Sequence, residues 1–322
     1  MQISYNNKNQ FMKTMKNRVL FLMAALVMAG CGKSSYKKSP GGMPYQVISG
    51  KDTQSIREGD FVKVHFTQKI KDSVYFTTEG SLPIYLPVGG NGAPVQPYDI
   101  SEIWTKLKVG DSVITTQMMD TFIKRSPDRI PPQFKKGDRI MTYVRILAAF
   151  KNDSLARIDD EKSKKDWALT EIKIIEKYLA DKKITATKTP SGAYVEMVKP
   201  GTGDLVDTGK YVTVNYTGTS WSGKKVDSNT DTSFHHVEPY SFTAGVGKMI
   251  KGFDEAMMLM NKGAKVKVYI PSLLAYGANP GSPNLKPYEN LIFDIELLNI
   301  QDKEPAQPTM PPPPPPSNPG GQ

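Results

Sequence analysis

Apolar and polar side chains alternate in two short segments whose aromatic ends lie 150 residues apart, at Phe66 and Tyr216. Such alternation in 62–67 (VKVHFT) and 210–217 (KYVTVNYT) predicts half-buried β-strands. Two further pairs of segments repeat the pattern at similar distances: 106–118 with 259–271, and 139–147 with 290–298. Two spaced copies of one strand pattern predict a tandem duplication.

The segment between the copies has a different period. Leu169, Ile172, Ile175 and Leu179 are spaced by three, three and four residues, which places them on one face of a helix. We predict that this helix runs from Ser154 to Ala180. Its interleaved acids and bases indicate a solvated face rather than a binding site.

The amino terminus carries basic residues followed by the apolar run Val19–Ala29, which is too short to span a bilayer. This arrangement is typical of a secretory signal. The run ends at Gly30 and Cys31, which resembles a bacterial lipobox, whose cysteine is diacylated after cleavage. Residue 32 is Gly rather than Asp, which by the same resemblance favours the outer membrane over retention at the inner one. The alternative is an ordinary signal peptide with a chance cysteine.

The ends of the mature chain are rich in Ser, Gly and Pro. We predict a flexible tether over 31–50. Six consecutive prolines in the segment 303–322 favour an extended polyproline II tail. A solvated tail is the preferred interpretation, and a partner-docking motif is the alternative.

Composition limits the possible functions. The 322 residues suggest two domains of ordinary size. The net charge of +10 raises the question of nucleic-acid binding, but four of the basic residues lie in 1–30 without an acid, and 201–300 has nine basic and ten acidic residues. No nucleic-acid-binding signature is present, so no nucleic-acid partner is predicted. One cysteine excludes an intrachain disulfide framework.

An ordered set of motifs occupies 195–300: YTG, KKVDS, KGFDEAM, AYG and LIFDIELL. In this order they resemble the FK506-binding-protein (FKBP) family of peptidyl-prolyl cis–trans isomerases. The resemblance implies an α+β fold in which an antiparallel half-barrel wraps on a short helix, here 251–260. With the duplication, we expect two FKBP-like half-barrels joined by a helical connector. The expected segments are a signal peptide 1–30, a tether 31–50, a degenerate FKBP-like domain 51–150, a connector 151–190, an isomerase domain 191–302 and a disordered tail 303–322.

The implied chemistry needs no cofactor, metal or nucleophile. Exchange of an X-Pro bond is slow because amide resonance must be broken. The planar amide is more dipolar than the twisted one, so an apolar cavity with aromatic walls favours the twisted state.

The resemblance also assigns the site. It implies that Asp227 bonds Tyr216, that the Ile250 amide holds a ligand carbonyl, and that Phe253 is the floor. The catalytic set is Tyr216, Asp227, Ile250, Phe253, Tyr276 and Phe293, and the substrate-binding set is Val226, Tyr240, Met249 and Leu285. For Phe242 we favour ordinary core packing.

Three features depart from the family pattern. Val226 stands where the family usually has Phe, which removes one wall of the cavity. The segment 201–300 has no arginine to pair with the aspartate, and His235 and His236 are candidates to replace it. The connection 229–239 is longer than usual. An adjacent histidine pair without a third spaced ligand does not make a metal site, so none is predicted.

The first copy keeps the strand pattern but lacks most of these side chains. Phe66 matches Tyr216, while Phe76 and Thr77 match Val226 and Asp227, so the aspartate is absent. Ile100 takes the place of Phe253, and Thr142 that of Phe293. We therefore expect an FKBP-like fold without isomerase activity. It is a candidate for binding unfolded chains or forming a homodimer, and the alternative is a spacer.

Two functions remain open from the sequence. The first is a lipid-anchored isomerase that assists the folding of proline-containing proteins of the cell envelope, attached to the membrane through an acylated Cys31. The second is a catalytically weak FKBP-fold chaperone or peptide-binding module. Val226 and the missing arginine favour the second, whereas Asp227, Phe253 and Tyr276 favour the first.

Overall fold

The structure is a computed structural model, and it describes residues 36–71, 73–90, 94–125, 127–130, 134–279 and 285–305. Its contacts divide the chain into two compact units. One is built mainly from residues before Ala149, and the other is Phe150 onward together with Phe61–Phe66 and Thr77–Leu86.

The second copy is one antiparallel sheet with a short helix. Its strands are β8 Thr187–Lys188, β9 Tyr194–Lys199, β11 Tyr211–Ser220, β12 Lys225–Ser228, β13 Tyr240–Thr243, β15 Lys265–Ile270 and β16 Leu291–Gln301; a separate ribbon pairs β10 Thr202–Leu205 with β14 Asn261–Lys262. The sheet has the order β8-β9-β15-β16-β11-β12, with β13 paired to β11. Between β13 and β15 lies helix α3, Lys251–Met257. This is the predicted α+β arrangement.

The first copy repeats this topology strand for strand. Its strands are β1 Lys37–Lys38, β2 Pro44–Ile48, β3 Phe61–Ile70, β4 Ser73–Thr77, β5 Ile84–Pro87, β6 Ser112–Met118 and β7 Arg139–Phe150. Their order in the sheet is β1-β2-β6-β7-β3-β4, with β5 paired to β3. Where α3 stands in the second copy, the first has two 3₁₀ turns, Ile100–Glu102 and Trp104–Lys106. Its helix α1, Met119–Arg125, comes after β6 instead.

The two sheets also agree in register. Across the first, Lys37 pairs with Tyr45, Tyr45 with Thr115, and Thr115 with Thr142. Across the second, the same path is Thr187, Val195, Val268 and Phe293. The corresponding residues differ by 150 to 153 positions, so the duplication predicted from the sequence describes real structural equivalence.

The predicted tether is wrong for the residues that the structure describes. Strands β1 and β2 lie within 36–50, and Met43 and Tyr45 are buried. Polar neighbours hid this strand pair, which is the counterpart of β8 and β9. For the same reason the second copy begins at Thr187, within the predicted connector, rather than at 191.

Helix α2, Asp153–Lys182, joins the two copies and matches the predicted helix within two residues at each end. The Asn152 side chain accepts a hydrogen bond from the Leu155 amide at the first turn. Lys183 ends the helix in a left-handed conformation, and its amide bonds back to Leu179 and Ala180.

The buried face of α2 differs from the predicted one. Ile175 and Leu179 pack against Tyr194 and Tyr269, but Leu169 is exposed. At about 100° per residue, Leu169 stands about 120° around the axis from Ile175, whereas Glu171 is only about 40° away. Glu171 is therefore buried in place of Leu169, and its carboxyl oxygens have no hydrogen-bond partner in the part of the chain that the structure describes.

Several sequence predictions fall outside the described residues: the signal peptide 1–30, the acylated Cys31 and most of the tail. Within the described residues, no helix combines the length and apolar character needed to cross a bilayer.

Glu171 provides a stability test. Burial raises the pKa of Glu171 to about 7. Donor groups of Ser272 and Trp167 lie near enough to the carboxyl group to limit this rise, although neither makes a hydrogen bond of ordinary geometry to it. The folded state therefore holds this proton between about pH 4.5 and 7, where the unfolded chain loses it, and stability falls as pH rises through that range. Glutamine has no proton to lose here, so Glu171→Gln removes this loss of stability. At pH 8 we expect urea denaturation to give the variant a free energy of unfolding about 3 kcal/mol above that of the native chain. At pH 4 the two proteins should be equally stable.

The matched control is Glu161→Gln, an exposed carboxyl on the same helix. An equal gain from both variants, or a gain from Glu171→Gln that does not depend on pH, would contradict the account.

Candidate functional site

Three aromatic rings form the centre of the second copy. Phe253 and Phe293 meet edge to face with their centroids 5.4 Å apart. Tyr216 packs edge to face on Phe253 at 6.1 Å and at a tilt on Phe293 at 6.2 Å. Phe253 is fully buried, while Tyr216 is only partly so. The cluster is therefore a dry floor with one polar group, the Tyr216 hydroxyl, near its surface.

A glycine makes room for this floor. Gly218 of β11 lies opposite Phe293 of β16. A Cβ on Gly218 would come within 2.7 Å of the Phe293 ring, closer than carbon atoms approach in proteins. The glycine of the YTG motif thus lets the Phe293 ring come close to the strand.

Tyr216 and Asp227 form a hydrogen-bonded pair, as the sequence predicts. The Tyr216 hydroxyl donates to Asp227 Oδ2 at 2.7 Å. Burial, and then this bond to a carboxylate, raise the pKa of Tyr216 well above its usual value. The phenol therefore remains a protonated donor at physiological pH.

The Ile250 amide lies where a substrate carbonyl could reach it. Ile250 immediately precedes α3, and its own carbonyl accepts from the amides of Phe253 and Asp254. No hydrogen bond to its N–H is found among the described residues. Met249 and Ile250 both pack against the core. A donor that stands free beside an apolar floor can hold a carbonyl group.

Asp254 holds this approach in place, and it was not among the residues predicted from the sequence. Its two carboxylate oxygens accept from the amides of Gly245 and Gly247 at 2.7 and 2.8 Å. Asp254 is buried, so these bonds fix the loop that carries Met249 and Ile250. Its place in KGFDEAM, next to Phe253, was the available signal.

Two tyrosines stand at the rim. Tyr240 stacks on Phe242 and meets Tyr216 edge to face at 6.4 Å. Tyr276 is exposed over 42% of its surface. Burial of its hydroxyl end and the negative charge of Asp227 raise the pKa of Tyr276, which places that phenol within electrostatic reach of the carboxylate.

The remaining predicted residues complete the wall. Val226 and Leu285 are buried in the same hydrophobic cluster as Phe253 and Phe293. Phe242 belongs to that cluster and packs on Phe253, which fits the core-packing interpretation. The structure thus brings together all ten residues that the resemblance assigned to the site.

The long connection 229–239 borders an open cavity of about 680 Å³ beside Tyr216 and Tyr240. Asn229 anchors it: the side chain accepts from the Tyr216 amide and donates to the carbonyls of Val214 and Glu238. Of the two histidines, His236 contacts Asp227, with Nε2 2.8 Å from Oδ1.

The first copy differs at the same positions. Thr78 repeats two bonds of Asn229. Its hydroxyl accepts from the Phe66 amide, as the Asn229 side chain does from the Tyr216 amide, and its own amide donates to the Phe66 carbonyl, as the Asn229 amide does to the Tyr216 carbonyl. Since Thr78 corresponds to Asn229, Phe76 corresponds to Asp227, because each lies two residues earlier in its copy. The predicted match of Thr77 with Asp227 was therefore wrong by one residue, although the aspartate is absent as expected.

Polar side chains replace the ring and the glycine in the first copy. Thr142 has the register position of Phe293, and Gln68 stands where Gly218 would be. The Gln68 amide lies 3.4 Å from the Thr142 hydroxyl, and Thr142 is buried. Ile100 takes the position of Phe253, as the glutamates two residues further along show. Glu102 accepts from the Gly41 amide in the first copy, and Glu255 accepts from the Ser191 amide in the second. Gly41 and Ser191 occupy equivalent turns.

Comparison with known proteins finds one family for the second copy. The family model for "FKBP-type peptidyl-prolyl cis-trans isomerase" matches residues 203–298. An "FK506-binding protein" of Neisseria meningitidis serogroup B is 39% identical over 111 residues, covering 34% of this chain and 98% of that protein. A "Peptidyl-prolyl cis-trans isomerase" of Schizosaccharomyces pombe is 39% identical over 115 residues, covering 35% and 98%. The crystal structure of FkpA from Escherichia coli is 32% identical, covering 46% of this chain and 65% of that chain at a TM-score of 0.35.

The contact of Gly218 with Phe293 can be tested by substitution. In Gly218→Ala the new methyl group must displace the Phe293 ring, and overpacking of this kind costs about 1–3 kcal/mol. Urea denaturation should show that loss, and the Phe293 ring resonances should shift.

Phe293→Leu supplies the compensating change, because it shortens the side chain that the methyl group meets. The double variant should lose less stability than the sum of the two single losses. Strictly additive losses would show that the methyl group and the ring do not meet.

Proposed function

Because this chain belongs to the FKBP-type peptidyl-prolyl cis–trans isomerase family, and is an isomerase of that type, we propose that its second copy performs the catalysis in the aromatic cavity around Phe253. The observation that carries the proposal is the dry ring cluster of Tyr216, Phe253 and Phe293 beside the Ile250 amide, to which no described residue offers an acceptor. The first copy has Ile100 and Thr142 in place of two of these rings.

The cavity acts by stabilising the twisted amide. A proline ring lying on Phe253 takes the X-Pro bond out of water, and the less dipolar twisted form loses less by that transfer than the planar form. The Ile250 N–H holds a neighbouring carbonyl of the peptide by donating a hydrogen bond to it. This interaction fixes the peptide while the bond rotates, so binding energy is spent on orientation.

The Tyr216 hydroxyl completes the wall. Its proton is committed to Asp227 Oδ2 at 2.7 Å, so the phenol presents its ring and its oxygen lone pairs to the cavity. Tyr276 and Tyr240 close the rim, and each adds an aromatic ring with a polar hydroxyl to the border of the cavity.

A second candidate is a catalytically weak chaperone or peptide-binding module. It is favoured by Val226, an aliphatic side chain that gives the cavity less aromatic wall than a phenylalanine would. The partners in either case are unfolded or proline-containing polypeptides. In the first copy, the exposed Val74 and Tyr75 of strand β4 offer an apolar edge for unfolded chains or for a homodimer.

The proposed setting is the cell envelope. The basic residues before Val19–Ala29 and the single Cys31 support a cleaved signal and an acylated, membrane-anchored lipoprotein, with the outer membrane as its location. Its clients there would be envelope proteins whose folding waits on proline isomerisation, since that step takes tens of seconds or more without a catalyst.

A protease-coupled assay on Ala-Leu-Pro-Phe peptide tests the catalytic proposal in the full chain. Phe253→Leu and Tyr276→Ala should each lower kcat/KM by about tenfold or more, because each removes part of the apolar wall, equivalent to about 1.4 kcal/mol of transition-state stabilisation. Phe66→Ala, at the Tyr216 position of the first copy, is the matched control and should leave the rate unchanged.

Loss of activity in the control alone would move the site to the first copy. If the native chain shows no rate above background yet suppresses aggregation of a reduced client, the chaperone module is the better description.

The anchor is tested separately by fractionating cells that express the native chain or Cys31→Ser. The native protein should sediment with membranes and incorporate labelled fatty acid, whereas the variant should be recovered in the soluble fraction unlabelled. Equal sedimentation and no label in either form would sink the lipoprotein proposal.

A further inference from the structure

Asp227 is held from three directions. Its Oδ2 accepts from the Tyr216 hydroxyl at 2.7 Å, and its Oδ1 accepts from the Ser228 amide at 2.9 Å. The third contact is His236 Nε2, 2.8 Å from Oδ1. Only this last contact comes from outside the β11–β12 pair, so it depends on the conformation of the segment 229–239.

That segment is built to deliver His236. Asp231 accepts from the Ser233 amide and hydroxyl and pairs with Lys225, which fixes the 3₁₀ turn Thr232–Phe234. His235 then adopts a left-handed conformation, with φ of 61°, which reverses the chain. Asn229 donates to the Glu238 carbonyl and closes the segment from the other side.

The chemistry of the contact fixes the proton. A carboxylate only accepts, so His236 Nε2 must carry the hydrogen. In a neutral ring this selects one tautomer; in a protonated ring the same bond becomes an ion pair and is stronger. Histidine is the side chain whose charge ordinarily changes between pH 5 and 8. The bond therefore ties the ring to Asp227 in either charge state, and it is stronger when the ring is charged.

Other charged or titratable groups near this pair come from each element around it. Tyr216 is on β11, Tyr240 on β13 and Tyr276 on the turn after Ser272–Leu274; the segment itself carries His235 and Glu238. His235 is the second histidine of the segment, so a pH effect of His236 has to be separated from one of His235.

We propose that His236 is a positioning residue for Asp227 and makes this isomerase more active at mildly acidic pH than at alkaline pH. The inference rests on the proposed function and deepens it. The protonated ring holds Asp227, and through it the Tyr216 hydroxyl, in the geometry that lines the cavity. The neutral ring holds it less firmly and leaves a net charge beside an apolar site.

The test is kcat/KM of the full chain between pH 5.5 and 8.5. The native protein should lose about fivefold across this range, as expected from the difference between a charge-assisted and a neutral hydrogen bond. His236→Ala should be low and flat. His236→Arg carries a fixed charge and should be flat near the acidic value of the native protein.

His235→Asn is the matched control, since asparagine tolerates the left-handed conformation. It should keep the native pH step. Loss of the step in His235→Asn, or a native step in His236→Ala, would overturn the proposal.

A readout without substrate separates this proposal from the proposed function. Ring resonances of Tyr216 should shift between pH 5.5 and 8.5 in the native chain and in His235→Asn, and stay fixed in His236→Ala. If no variant catalyses isomerisation but these shifts appear, the function fails and the positioning contact stands. If the Tyr216 resonances move equally in His236→Ala, the contact has no such role.

Discussion

The site depends on one packing arrangement, the edge-to-face contact of Phe253 with Phe293 at 5.4 Å, covered by Tyr216. In the proposed catalysis this floor excludes water and so favours the twisted amide of a proline bond, because the planar form is the more dipolar. Gly218 makes the floor possible by leaving space for the Phe293 ring. Asp254 and Asn229 then hold the two loops that border it, so each polar group near the site supports an apolar surface.

The duplication separates the fold from the site. Both copies have the same strand order and register, and their equivalent turns are closed by Glu102 and Glu255. Yet the first copy places Thr142 at the position of Phe293 and Gln68 at that of Gly218. The strand pattern therefore needs only alternation of apolar residues, while the cavity needs particular rings and a particular glycine.

The sequence predicted the elements whose signal is local or carried by motifs. Helix α2 and the duplication follow from the apolar period. The family resemblance carried by the motifs YTG, KGFDEAM and AYG assigned ten residues to the site, and their roles stay a prediction. The sequence failed at β1 and β2, whose polar composition hid pairing with a distant strand, and at Glu171, buried because of its angle on the helix. The sequence named both His235 and His236 as candidate partners of Asp227. That His236 makes the contact depends on the left-handed His235 and on Asn229, and neither feature has a pattern in one sequence.

The most direct test of the central claim is to locate a bound proline. In the full chain with selectively labelled aromatic residues, intermolecular NOEs from the proline ring of an Ala-Leu-Pro-Phe peptide should reach Tyr216, Phe253 and Phe293, the rings that form the floor. They should be absent at Phe66 and Phe76 of the first copy. Contacts confined to Phe66 and Phe76, or a proline ring that touches none of the three floor rings, would contradict the account.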